Sequence, residues 1–161
     1  MATTKAESHK TLSLFKGYAP PVAMLTEAVA VIGMRRSGKS VYARNEAAKA
    51  IEAHVPIVIM DPVGTFWGLR LRSNGEAQKP TNPLAELPVF GGIHADLPLI
   101  HTQGAALAEM VARYNQSMVL DMSQFLPSQR SRFVIDFCEA LYRAKAQNRS
   151  PLKVILEEAH N

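Results

Sequence analysis

Four short apolar runs punctuate the chain: Ala28–Ile32, Ile57–Met60 behind Pro56, Met118–Leu120, and Val154–Leu156 behind Lys153. None alternates with polar residues. Each stops at a turn-forming or acidic position: Gly33, Asp61-Pro62, Asp121 and Glu157-Glu158. Continuous apolar runs of this length predict strands covered on both faces, as in a parallel sheet. The stretches between them carry a different period. Helices are predicted from Lys39 to about His54, over Gly104–Tyr114, and over Gln129–Ala146. In the last, Phe133, Val134, Phe137, Ala140, Leu141 and Ala144 fall along one face, with Arg130, Asp136, Glu139 and Arg143 mostly elsewhere. Residues 1–26, with Pro20-Pro21, read as a lead-in that is irregular or packed on the side of the domain. Arg70–Pro98, rich in Pro, Gly and Asn, reads as loop with short structured pieces. Strands alternating with helices predict an α/β fold: a mainly parallel sheet flanked by helices on both faces.

The first predicted strand runs into Gly33-Met34-Arg35-Arg36-Ser37-Gly38-Lys39-Ser40. Gly, four residues, then Gly-Lys-Ser is the pattern of a P-loop, which cradles the phosphates of a nucleoside triphosphate. Each fixed position has a physical reason. The glycines accept backbone angles that a side chain forbids, so successive N–H groups can turn toward one anion. The helix opening at Lys39 aims its free N–H groups and positive dipole end at the same place. Lys39 reaches the outer phosphates, and Ser40 offers a hydroxyl to Mg²⁺. By composition alone the pattern arises in roughly one chain in a hundred of this length. The strand before it and the helix after it make an accident rarer still. The predicted ATP-binding set is therefore Gly33, Met34, Arg35, Arg36, Ser37, Gly38, Lys39, Ser40 and Val41. Arg35 and Arg36 either add charge near the phosphates, face a neighbouring subunit, or are a solvated loop tip.

ATP hydrolysis also needs a carboxylate that helps hold Mg²⁺ and a group that orients the attacking water. Both belong at the carboxyl end of a strand near the P-loop strand. Lys153–Leu156 followed by Glu157-Glu158 meets that requirement. Glu157 is assigned to the metal with Ser40, and Glu158 to the water, with Lys39 as the second catalytic group. The Met118–Leu120 strand, which falls between these motifs in the chain, suggests an extra strand inserted between them in space. Asn148-Arg149-Ser150 does not match the Asn-Lys-x-Asp that selects GTP.

Asp61 and Asp121 also end strands on this edge, as outer groups around the metal or as turn caps. His54, His94 and His101 are dispersed without metal-ligand spacing. His160 either couples the site to a neighbour or faces solvent. Phe66 and Trp67 read as buried, with stacking on a base as the alternative, and Cys138 reads as packing.

Composition adds little beyond limits. The chain has 161 residues, 47% hydrophobic and 20% charged, with a formal net charge of +4. That balance suits one domain, and either polyanion binding or a mildly basic surface. No run approaches the roughly 18 apolar residues of a membrane helix. The polar N-terminus lacks a secretory core, and the single Cys138 has no internal partner, which together predict a cytoplasmic, reduced protein off the membrane.

The motifs taken in order resemble HerA/FtsK-type ATPases. The likeness is carried by Val31–Ser40, Val58–Gly64, Val89-Phe90-Gly91-Gly92, Asp96–Leu99, Val119–Ser123, Phe133–Tyr142 and Leu156–His160. It runs from about Ala28 to the end. The resemblance implies a RecA-like P-loop NTPase core over residues 27–161 that hydrolyses ATP with Mg²⁺ and moves double-stranded DNA. It further implies assembly as a homo-oligomer, a hexameric ring, with a nuclease or other effector as a further partner. Departures are Glu157, where many members have Asp, and the absence of a barrel domain before the core. The chain ends at Asn161, just after the acidic pair, so the core is expected to be incomplete at its C-terminus. Two other functions stay open: a nucleotide-binding regulatory module with little turnover, and a small-molecule P-loop kinase, for which no lid sequence is evident.

Overall fold

Residues 11–34 and 36–157 are described in a computed structural model of the chain. Its centre is strand β1 (Ile57–Asp61), every residue of which is buried. Along β1, Ile57 and Ile59 point into one apolar cluster while Val58 and Met60 point into another. A strand with both faces covered needs no polar alternation, which is why its sequence is a continuous apolar run. Strand β2 (Val89–Phe90), β3 (Met118–Asp121) and β4 (Lys153–Leu156) complete a four-stranded sheet in the order β2-β3-β1-β4. All pairings are parallel, with Ile59 opposite Val119 on one side and Ile155 on the other.

Helix α1 (Lys39–Glu52) covers one face with Ala47, Ala50 and Ile51. The lead-in joins it there: Leu12, Leu14, Met24 and Leu25 are buried in the same cluster, and residues 22–26 form a 3-10 turn. Helices α2 (Gly104–Tyr114) and α3 (Pro127–Gln147) cover the other face. Phe133, Phe137 and Ala140 of α3 are buried, on the stripe expected from their spacing. At the start of α2 a Cβ on Gly104 would lie 2.6 Å from the Phe133 carbonyl oxygen, so the two helices meet backbone to backbone. No described helix is long and apolar enough to cross a membrane.

Two expectations need correction. Ala28–Ile32 is not a strand: it is irregular, with Val29 and Val31 about 40% exposed and Ile32 93% exposed. An apolar run supplies side chains for a strand but not a ladder partner, and among the described residues this one has none. The strand at Met118 is also not inserted beside β4. It lies across β1 from it, and among the described residues β4 pairs only with β1. The loop expected over Arg70–Pro98 does contain short pieces, a 3-10 turn at Pro83–Glu86 and the two-residue β2.

Candidate functional site

The P-loop motif sits where the irregular segment turns into α1. Gly38 caps the helix in the left-handed region at φ 93°, and Arg36 also has positive φ, at 65°. Reversals at these two positions bend the chain back on itself, the condition for a backbone concavity lined by N–H groups. Space is limited at the first glycine as well: a Cβ on Gly33 would stand 2.5 Å from the Ser37 hydroxyl. Lys39 folds back across the loop, its Nζ donating to the carbonyl oxygens of Gly33 at 2.9 Å and Met34 at 3.0 Å. α1 has no acidic residue in its first turn, so nothing on the helix offsets its positive end.

β4 delivers Glu157 to the same place. The Glu157 N–H donates to the Met60 carbonyl oxygen of β1, which holds the chain beyond the strand end. The Ser40 hydroxyl donates to Glu157 Oε1 at 2.5 Å, across 117 residues of sequence. A hydroxyl and a carboxylate side by side at a helix N-terminus are hard oxygen donors of the kind Mg²⁺ takes. The residues present therefore fit that ion, and Ser40 and Glu157 are the pair that would hold it.

Between the irregular segment and β4 lies a cavity of about 870 Å³. Val29, Ala30 and Val31 form one wall and Val154, Ile155 and Leu156 the other, with Arg36, Lys39 and Ser40 at its loop end. Lys153 and Glu46 also line it, and both are buried. Lys153 and Glu46 offset each other as an ion pair, which leaves Arg36 and Lys39 against Glu157, a balance that favours an anion. Beneath α1, burial first, then the charges of Glu46 and Tyr18, pushes the Tyr42 phenol up to about 12.

The other strand-end acids have different work. Asp61 is fully buried and accepts from four backbone N–H groups, those of Val63, Gly64, Thr65 and Phe66, at 2.6–3.0 Å. It is a turn cap with its oxygens already engaged. Asp121 accepts from the Ser123 N–H and is packed so closely under Gly92 that a Cβ there would overlap its carboxylate. Phe66 is buried beneath the Arg44 guanidinium, and Trp67 stacks on His94 with ring centroids 3.6 Å apart. Cys138 packs beside the α2–α3 cluster, where burial raises its thiol above the ordinary value. Among the described residues no group of three or more His, Cys, Asp or Glu is placed to hold a metal. Arg35, Glu158 and His160 lie outside the described residues.

Sequence reasoning missed Lys153 and Glu46 as partners. The signals were faint: a lysine opening an otherwise apolar strand, and a glutamate followed by Ala47-Ala48 on the inner face of α1. No protein-family model matches the chain, and no curated protein or solved structure shows significant similarity to it.

Proposed function

We propose that the chain is the Mg²⁺–ATP-binding core of a RecA-like P-loop ATPase. The observation that carries this reading is the contact between Ser40 and Glu157. Two motifs read separately in the sequence, each needed for the same metal, meet at one helix end. Gly33 to Val41 would cradle the phosphates through backbone N–H groups, and Lys39 would leave the loop carbonyls for the outer phosphates. The ion would supply charge neutralisation at the phosphates. Ser40 and Glu157 would orient it, and Glu158, the next residue, is assigned to the attacking water.

The cavity beside β4 also supports a RecA-like arrangement. That fold places a strand between the P-loop strand and the strand bearing the metal carboxylate. Here an apolar-walled space lies between those two segments. With a strand seated there, residues 28–32 would gain the ladder partner they lack among the described residues.

The finer reading, a HerA/FtsK-like translocase acting on double-stranded DNA as a hexameric ring, rests on the series of motifs and the mild positive charge. ATP turnover with Mg²⁺, measured with and without duplex DNA, tests it. Turnover that duplex DNA stimulates is the expected result. Nucleotide bound with no turnover under either condition would favour the regulatory module. Absence of nucleotide binding would overturn the whole reading.

A further inference from the structure

The buried ion pair beneath the P-loop helix is not used by any step above, and its connections are specific. Lys153 opens β4 and is 7% exposed; Glu46 lies in the middle of α1 and is 4% exposed. Lys153 Nζ stands 2.7 Å from Glu46 Oε1 but off hydrogen-bond geometry, so the contact is Coulombic. The ammonium directs its hydrogen bonds elsewhere, to the carbonyl oxygens of Met24 at 3.3 Å and Glu27 at 3.2 Å. One buried cation thus joins three segments. Each leads to a different part of the candidate site. Glu27 continues through the irregular segment to Gly33. Glu46 belongs to the helix that opens with Lys39 and Ser40. Lys153 begins the strand that ends at Glu157.

We infer that Lys153, with Glu46, is a positioning pair that sets the spacing of Ser40 and Glu157; the inference rests on the Mg²⁺–ATP reading. Ile155 shares one apolar cluster with Ala47, Ala50 and Ile51 of α1, and such packing is non-directional and allows sliding. Two ties fix what one leaves free to pivot. The Lys153–Glu46 pair is the lower tie between helix and strand, and the Ser40–Glu157 contact is the upper one. Desolvating two charges is costly, and a pair of apolar residues would fill the same space with less penalty. Retaining the charges is explained if they specify register rather than stability. The lead-in has further bonds to α1, from Asn45 Nδ2 to the Leu14 carbonyl oxygen and from the Tyr42 hydroxyl to Met24 Sδ. Removing the pair therefore leaves the segment attached while freeing the register.

The test compares the parent chain with the double variant Glu46→Gln/Lys153→Met, using a fluorescent ATP analogue titrated with Mg²⁺ and with EDTA. The double variant is chosen because Lys153→Met alone strands a buried carboxylate and is expected to unfold. Its folding is verified by circular dichroism, and the reverse design, Glu46→Met/Lys153→Leu, replaces it if it fails to fold. The parent is expected to bind the analogue more tightly with Mg²⁺ than without. The folded variant is expected to keep the metal-free affinity within about twofold and to lose about tenfold in the Mg²⁺-dependent part, as outer-sphere positioning groups of metal sites do. A purely structural pair would lower both affinities together or neither. An unchanged Mg²⁺ enhancement in the folded variant overturns the positioning role while leaving the nucleotide site intact. A parent that shows no binding, or binding indifferent to Mg²⁺, overturns the site itself and the inference with it.

Discussion

Asp61 and Glu157 occupy equivalent places, at or just beyond the carboxyl ends of neighbouring parallel strands, yet their surroundings differ in kind. Asp61 is fully buried and closes a turn through four backbone N–H groups. Glu157 is half-buried at the mouth of a cavity and meets one side-chain hydroxyl from a distant motif. A carboxylate whose oxygens are all engaged by its own turn has no capacity left for a ligand. One that faces a hydroxyl at a helix N-terminus keeps that capacity. The same division extends to the sheet. Its β1–β3 half is covered on both faces, whereas β4 leaves Leu156 45% exposed beside an open cavity.

The largest expected effect breaks the first member of the pair. Asp61→Ala removes a charged acceptor from four backbone N–H groups, of which that of Phe66 is buried and the others part-buried, and should cost about 3 kcal/mol of folding stability. Chemical denaturation measures it, and a loss under about 1 kcal/mol would refute the capping role. Lys39→Ala comes next. It should weaken ATP binding at least about a hundredfold, near 2.7 kcal/mol, with folding unchanged. Equal affinity in that variant, by titration calorimetry, would sink the P-loop assignment. Glu157→Gln sharpens the contrast with Asp61. Stability should move by less than about 0.5 kcal/mol, while the Mg²⁺-dependent part of nucleotide affinity should fall about tenfold. A stability loss as large as that of Asp61→Ala would erase the distinction between the two acids.

The smallest effect concerns pH. The Asp96 carboxylate accepts both contacts of Arg70 Nη1 at 2.8 Å and the Val89 N–H at 2.8 Å. The Arg70 hydrogen bond, more than any other cause, holds its pKa below the ordinary 3.8. A depressed folded-state pKa means that the stabilisation is complete above 3.8 and is lost as pH falls through the lower folded value. Because this pair is partly exposed, the contribution should stay below about 1 kcal/mol. Asp96→Asn should remove that part of the acid limb in a pH series of melting curves, and an unaltered limb would contradict it.

Much of this architecture is legible in the sequence. β1 and β3 stood out because burial on both faces leaves a continuous apolar run, and β4 as a short apolar run stopped by two glutamates. α3 stood out because Phe133, Phe137 and Ala140 repeat with the helical period. β2 is only two residues long and had no period to show. The misreading of Ala28–Ile32 has a physical cause: hydrophobicity reports what a segment would bury, and strand formation also needs an edge to pair with. At the site, the sequence motifs named Lys39, Ser40 and Glu157, but not that Ser40 and Glu157 touch. Asp61 was open between metal and turn, since a strand-end Asp before Pro-Val-Gly fits both. Only the four N–H donors decide it. The Lys153–Glu46 pair was hidden because nothing local tells a lysine on an apolar strand which helix it will meet.

The central claim is that Gly33–Val41 and Glu157 form one Mg²⁺–nucleotide site. An amide NMR titration of the chain with Mg²⁺ and a non-hydrolysable ATP analogue tests it most directly. The largest shifts should fall on the backbone amides of Gly38, Lys39, Ser40 and Val41 and on Glu157, with the Val63–Phe66 turn that Asp61 caps left still. Shifts spread over the Asp61 turn with none at Gly38–Val41, or no shifts at all, would contradict the account.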